Sequence, residues 1–258
     1  MRHARRQAMA QEAAQKKSKK NGHPILRGLA VFAFLGLLGL GGFHLVHHPD
    51  TPLPPQWNPI KPLAISDPVT LLTQWKLDRT ANDGPACLAA LDGVATLDNL
   101  NDLETSDQCH IRDRVALAAI GVAGLDNIET RCAIALRLAM WEHHSLQPAA
   151  REFLGTELTG INHFGSYSCR AMRTLSGASS RMSTHATADA IDIAGFRFAD
   201  GQSIQLIRDW GGQGGKAAFL RAARDGACDW FKLTLSPDYN QLHADHFHLQ
   251  STGWGSCR

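Results

Sequence analysis

The sequence predicts an α+β fold, an antiparallel sheet with helices packed on it, preceded by one transmembrane helix. Three observations lead there. Short runs of strand character occur at Glu157–His163, Ala190–Phe198, Gln202–Ile207, Phe231–Leu235 and His246–Gln250, most of them joined by short connections. Helical apolar spacing recurs between and before them. A long apolar run without an ionised residue lies near the N-terminus.

That run is the first element to justify. Ile25 to Val46 contains Gly28-Leu-Ala-Val-Phe-Ala-Phe-Leu-Gly-Leu-Leu-Gly-Leu-Gly-Gly-Phe43 and has Arg27 at its start. A bilayer core needs roughly 20 apolar residues, so 25–46 is long enough. Before residue 28 stand eight Lys/Arg (Arg2, Arg5, Arg6, Lys16, Lys17, Lys19, Lys20, Arg27) against Glu12 alone, a net +7 that leaves −5 for the remainder of a chain of net +2. The positive-inside bias puts the basic tail, residues 1–24, in the cytoplasm and the rest beyond the inner membrane, in the periplasm. A cleaved signal peptide is the competing reading. The long basic stretch and the lack of an Ala-x-Ala site after the apolar run favour an uncleaved anchor.

Residues 47–68 hold seven of the eleven prolines (Pro49, Pro52, Pro54, Pro55, Pro59, Pro62, Pro68) and read as an extended stalk, with a proline-rich ligand for another protein as the alternative. The domain proper then occupies 69–258. Asp67-Pro68 resembles a helix start, with Val69, Leu72 and Trp75 on one face to about Leu77. Thr130–His143 carries Cys132, Ile134, Ala135, Leu138 and Trp141 at helical spacing, Pro148–Leu154 suggests another turn or two, and Lys216–Ala227 aligns Ala217, Leu220 and Ala223. Each stripe is read as core. Asp200-Gly201 separates two strands as a hairpin turn does. Gly211-Gly212-Gln-Gly214-Gly215 reads as a loop.

All six cysteines (Cys87, Cys109, Cys132, Cys169, Cys228, Cys257) follow the apolar run, and none is in a Cys-x-x-Cys pair. This usage suits up to three disulfides in an oxidising compartment. Fifteen pairings are possible; Cys257 suits a staple for the terminus, with Cys228 a plausible partner. With 44% hydrophobic residues, 19% charged and net +2, the chain suits one sizeable domain with appendages and argues against a dedicated nucleic-acid partner. No internal repeat, phosphate-binding glycine motif or nucleophile elbow is present, and the sequence leaves the oligomeric state open.

The chemistry concentrates in two clusters. Ser183-Thr-His185-Ala-Thr-Ala188-Asp-Ala190-Ile-Asp192 offers an imidazole and a carboxylate, and His243-Ala-Asp-His246-Phe-His248 offers two imidazoles one residue apart. This is the N/O ligand set that Zn²⁺ takes when one position stays open. On an extended Ala190–Ala194, Asp192 shares a face with two alanines while the isoleucines turn away, and His246 and His248 point the same way about 7 Å apart. A lone His-x-His is a weak signal among thirteen histidines. Two polar islands between apolar residues in one domain strengthen it, because buried unpaired imidazole and carboxylate groups cost several kcal/mol.

The pattern Ser183-x-His185-x-x-Ala188-x-Ala190-x-Asp192 followed by His243-x-x-His246-x-His248 resembles the signature of the zinc peptidases that include D-alanyl-D-alanine carboxypeptidases and dipeptidases, penicillin-insensitive murein endopeptidase and the hedgehog signalling domain. More narrowly, the chain resembles the bacterial extensin-like C-terminal domain family from about Cys87 to Arg258. The densest stretches are Tyr167–Arg170, His185–Ala194, Phe219–Cys228 and Tyr239–Leu249. The resemblance implies a hedgehog/D-Ala-D-Ala peptidase-like fold, His185, Asp192 and His248 as zinc ligands, and His246 or His243 as general base. Ala188 stands where the wider superfamily more often has glycine.

Arg170 is a candidate for gripping a substrate carboxylate or an oxyanion through its planar fork, with Arg173 and Arg181 weaker candidates. His243 is read either as base or as a hydrogen-bonding partner of a ligand, and Asp245 either as solvent-facing or as orienting an imidazole from behind. The expectation is a membrane-anchored zinc peptidase hydrolysing amide bonds of peptidoglycan peptides, the substrate class following from the resemblance. The alternative is a cell-wall module that keeps its zinc without catalysis.

Overall fold

The computed structural model describes residues 3, 7, 9–11 and 24–258, and the chain divides into two compact units, Met1–Pro54 and Pro55–Arg258. Most of the basic tail expected for residues 1–24 lies outside the described residues. In the first unit, helix α1 (Pro24–His47) contains a stretch, Ile25–His47, long and apolar enough to cross a membrane.

The second unit opens with a departure from expectation. The proline-rich tract was expected as a stalk to residue 68, yet from Pro55 it packs on the domain, with Leu63 and Ile65 buried in the core. Backbone carbonyls freed by proline are taken up by side chains: Lys76 Nζ donates to Pro55 O (2.7 Å) and Thr70 Oγ1 to Gln56 O (3.1 Å). Helix α2 spans Thr73–Ala81 rather than 67–77. Upstream, Thr73 Oγ1 accepts from Thr70 N (2.8 Å) and Thr70 Oγ1 from Leu72 N (3.2 Å), local side-chain bonds that compete with helix. Helix α3 (Gly84–Leu91) follows, its first turn closed by Asp83 accepting from Ala86 N (3.0 Å) and by Pro85 in an opening position.

Strands β1 (Ala95–Asn99), β2 (Leu103–Ser106), β3 (Cys109–Ile111), β4 (Arg114–Ile120) and β5 (Ala123–Arg131) come next. Then helix α4 (Cys132–Trp141), a π-helical turn (Glu142–Leu146) and helix α5 (Gln147–Leu154) lead to β6 (Leu158–Gly165). The hairpin β7 (Ala171–Thr174)–β8 (Gly177–Met182) precedes β9 (Ala190–Phe198), β10 (Ser203–Gln205), helices α6 (Leu206–Asp209) and α7 (Gly215–Trp230), and strands β11 (Leu233–Leu235), β12 (Phe247–Gln250) and β13 (Ser256–Cys257). The strand expected over Gln202–Ile207 therefore ends at Gln205, where Asp209 Oδ2 accepts from Gln205 N (2.8 Å) and the chain turns into α6.

The main sheet runs β1-β4-β5-β6-β9-β12-β11-β13, with β10 also on β9. It is mixed rather than antiparallel throughout. The pairs β5–β6 and β11–β13 are parallel, and each needs a crossover: α4 to α5 supply the first, β12 and the turn after it the second. Ile191, Ile193, Phe196 and Phe198 of β9 face the core, where Trp141 of α4 and Phe219 of α7 meet Phe196 with ring centroids 5.9 and 5.1 Å apart.

A bulge positions the site. In the β6–β9 ladder Asn162 pairs with Gly195 and His163 with Ile193, leaving Ala194 unpaired. The extra residue reverses the alternation, so Ile193 and Phe196 both face the helices while Asp192 points to the opposite side. It also marks where β9 changes partner, from β12 at 190–193 to β10 at 195–197. Gly195 permits this close approach, since a Cβ there would lie 2.3 Å from Ile204 O. Disulfides join Cys87–Cys132, Cys109–Cys169 and Cys228–Cys257, the last being the expected C-terminal staple.

Candidate metal centre

The two polar clusters meet on the sheet face away from the helices. Asp192 of β9 and His248 of β12 are direct partners across the ladder, so their side chains leave the sheet side by side. His185 arrives from the 3₁₀ turn Thr184–Thr187, whose start is capped by Ser183 Oγ accepting from His185 N (3.3 Å). That turn closes at Ala188 with φ +50°, a left-handed conformation. Glycine takes that conformation without a Cβ penalty, and alanine here carries strain.

The donor atoms converge. His185 Nε2 lies 3.2 Å from His248 Nδ1 and 3.2 Å from Asp192 Oδ2, and His248 Nδ1 lies 2.8 Å from Asp192 Oδ1. His185, Asp192 and His248 thus form a group able to hold one metal ion. The fit can be judged from the donors themselves. A tetrahedral zinc with bonds of about 2.0–2.1 Å has ligand-to-ligand edges of about 3.3 Å, close to those found. His185 Nδ1 donates to Ser166 O (2.8 Å), which fixes Nε2 as the lone-pair nitrogen of the neutral ring. On His248 the outer nitrogen, Nε2, faces the Gln250 side-chain amide at 2.8 Å. The nearer atom of that amide is its nitrogen, which donates to Nε2 and leaves the ring proton on Nδ1, directed at Asp192 Oδ1. With the amide turned over, so that its oxygen accepts from Nε2–H, the Nδ1 lone pair points inward, and two imidazole lone pairs and a carboxylate aimed at one point repel each other unless a cation sits between them.

The side chains by themselves put ring protons, rather than lone pairs, against Asp192. Burial alone raises the Asp192 carboxyl, but hydrogen bonds and positive charge from His185 and His248 override it and hold the group well below the usual carboxylate range. Burial pushes the His248 imidazole down, against the pull of Asp192. His185 and His248 are nearly sealed, while Asp192 and His246 keep 15% and 13% side-chain exposure, so the cluster opens to solvent on their side.

His246 stands at that opening with Nε2 3.5 Å from Asp192 Oδ1. Its Nδ1 donates to Asp245 Oδ1 (2.7 Å), so Asp245 orients the ring from behind and leaves Nε2 as the proton-accepting atom facing the cluster. His243 is held by Nδ1–H to Asn240 Oδ1 (2.8 Å), its ring 5.3 Å from His246 and 5.8 Å from His248. Burial, then the neighbouring His248 and His246 charges, push its imidazole down to about 4. Tied to Asn240 through Nδ1, His243 packs against the other two rings.

Arg170 makes no hydrogen bond or ion pair with the cluster among the described residues. Among the described residues its guanidinium makes one hydrogen bond, to Ala171 O at 3.4 Å, while its carbonyl accepts from Ser183 N (3.0 Å) and so helps fix the base of the β7–β8 hairpin. Arg173 and Arg181 lie on that hairpin, both exposed. Sequence reasoning missed Gln250, which the period-2 alternation places on the same face as His248. It also missed the Ser166 carbonyl, for which a backbone group leaves no side-chain signal, and Phe164, whose exposed ring packs 5.9 Å from His246.

No curated protein and no solved structure matches the chain. The family described as "Extensin-like protein C-terminus" matches residues 85–258, a span that holds both clusters, the loop between them and all three disulfides. On that match the chain belongs to the extensin-like protein C-terminus family.

Proposed function

We propose that this chain is a membrane-anchored, zinc-dependent peptidase that hydrolyses amide bonds in peptidoglycan peptides, with its N-terminus in the cytoplasm and its second unit in the periplasm. The observation that carries the reading is the convergence of His185 Nε2, Asp192 and His248 Nδ1 beside a histidine whose far nitrogen is held by a carboxylate. Three disulfides suit the periplasmic side of an inner membrane, and the basic residues before α1 suit a cytoplasmic N-terminus. The peptidoglycan substrate follows from the resemblance of the two motifs to the zinc peptidases.

Zinc, when bound, supplies an acidified water and a polarised carbonyl. The chain's own residues do the rest. Asp192 and the two imidazoles hold the ion with one charge to spare, because only one of the three ligands is anionic. His246 Nε2 takes the proton of the attacking water, Asp245 stabilises the imidazolium through Nδ1–H, and the same nitrogen returns the proton to the leaving amide nitrogen. Ser166 and Gln250 hold the ligand rings in the required orientation.

The test is direct. Purified full-length chain in detergent is assayed for zinc by elemental analysis and for activity on purified muropeptides. One zinc per chain with shortened muropeptides, and loss of cleavage with retained zinc in His246→Ala, is the expected result. Zinc without cleavage turns the reading into a non-catalytic cell-wall module, and no zinc removes both.

A further inference from the structure

Beyond the metal centre, the second unit contains a polar cavity of about 190 Å³ whose lining is unusually rich in cations. Arg131, Arg137 and Lys232 line it against only two carboxylates, Asp78 and Asp189, a surplus of one positive charge. Both carboxylates are already engaged. Asp78 takes Arg137 Nη2 on Oδ1 (2.7 Å) and Lys232 Nζ on Oδ2 (2.5 Å), and Asp189 takes Arg131 Nη1 on Oδ1 and Thr187 Oγ1 on Oδ2 (both 2.6 Å). Each carboxylate oxygen therefore has a donor, while donors remain over.

The surplus donors are specific. Arg131 makes one ion pair and leaves its Nε without an acceptor; Arg137, with a side chain only 3% exposed, also leaves its Nε so, while its Nη1 donates to Trp230 O (2.5 Å). Lys232 keeps two further ammonium hydrogens and is one-third exposed at the wall. A buried arginine nitrogen without a partner calls for an ion or water that satisfies the network around it, and a concave wall with a net positive charge favours an anion.

We propose that this cavity is a binding site for a small oxyanion, a carboxylate or phosphate group, gripped by the exposed hydrogens of Arg131 and Lys232 with Arg137 behind them supplying charge. A planar guanidinium beside an ammonium suits an acceptor with two or more oxygens. The volume admits such a group with little more than its first substituent. Thr252 lines the same wall. The site is separate from the metal centre but shares a brace with it, since Asp189 also fixes the turn that presents His185.

The test is the thermal midpoint of the full-length chain in detergent, titrated with inorganic phosphate and, in a second arm, with acetate, against chloride at equal ionic strength. A saturable rise in at least one arm is expected, and the arm that responds names the chemistry. Lys232→Met should weaken the response about tenfold or more, as loss of a charge-assisted hydrogen bond does, while Lys232→Arg should keep it. Lys232→Gln replaces the methionine variant if that one does not fold. No rise above chloride in either arm overturns the proposal. So does a rise that persists undiminished in Lys232→Met or Lys232→Gln, which places the anion elsewhere, on the metal included.

Discussion

At the scale of single residues, the candidate centre depends on which nitrogen of each histidine is free. His185 is settled by the Ser166 carbonyl, which can only accept. His246 is settled by Asp245, and one of the two roles the sequence allowed for that carboxylate is the one found. Asp245→Asn should therefore leave zinc content unchanged and lower kcat by about 10- to 100-fold, with His246→Ala lower still, within the 10²- to 10⁴-fold that a general base contributes. Equal activity in Asp245→Asn would show that His246 does not depend on its rear partner. Gln250→Leu should weaken zinc affinity by about 10- to 100-fold without changing the three ligands, read by competition with a chromogenic chelator. Asp192 and His248 were legible as a facing pair because each stands on a stretch that keeps its alternation, β9 before its bulge and β12. For Arg170 the sequence offered only the family resemblance of its neighbourhood, and its guanidinium bonds the adjacent Ala171 carbonyl.

At the scale of elements, the site exists because β9 does two things along nine residues. It pairs with β12 where Asp192 and His248 stand and with β10 after the bulge at Ala194. Period-2 reading predicts the first half and fails beyond Ala194, since an inserted residue is invisible to alternation. Gly195→Ala should be destabilising, because its methyl meets the Ile204 carbonyl; a loss of about 1–3 kcal/mol is expected, measured as the shift in urea midpoint. An unchanged midpoint would mean that β10 is free to move away. Strands β1 to β5 were not legible. Of these, β1 (Ala95-Thr-Leu-Asp-Asn) and β5 (Ala123-Gly-Leu-Asp-Asn-Ile-Glu-Thr-Arg) are rich in residues that strands usually avoid, and only pairing within the sheet makes them strands. The parallel β5–β6 pair was missed for the same reason, because its first strand was unseen.

At the scale of the whole molecule, buried neutral histidines link stability to pH. His248, His243, His144 and His163 all have imidazoles pushed down by burial, so each binds fewer protons in the fold than in the unfolded chain below about pH 6.5. The unfolded state then gains protons first and stability falls with pH, through the window from about 6.5 down to about 4 for His243. Asp192, depressed, adds a further loss below the ordinary carboxylate range, while buried Glu142, raised, opposes it from the other side. The metal-stripped chain should therefore unfold at lower urea at pH 5 than at pH 7, and a midpoint that is flat or higher at pH 5 would contradict this assignment. The core itself is ordinary. Phe196→Ala, which empties the space between Trp141 and Phe219, should cost about 3–5 kcal/mol.

What the sequence concealed at this scale was where the domain begins. Prolines read as a stalk, but Leu63 and Ile65 among them are core residues, and the compact unit starts at Pro55. The apolar span, the disulfide-suited cysteines and the α+β class were visible because each depends on composition or local period. The mixed order of the sheet depends on contacts between distant segments and was not.

The central claim is that His185, Asp192 and His248 share one ion. Zinc K-edge X-ray absorption on the purified full-length chain tests it most directly. The account predicts one zinc per chain in a four-coordinate shell of two imidazole nitrogens and oxygen donors at about 2.0–2.1 Å, lost in Asp192→Asn. A six-coordinate shell, a sulfur ligand, or zinc retained undiminished in Asp192→Asn would contradict it.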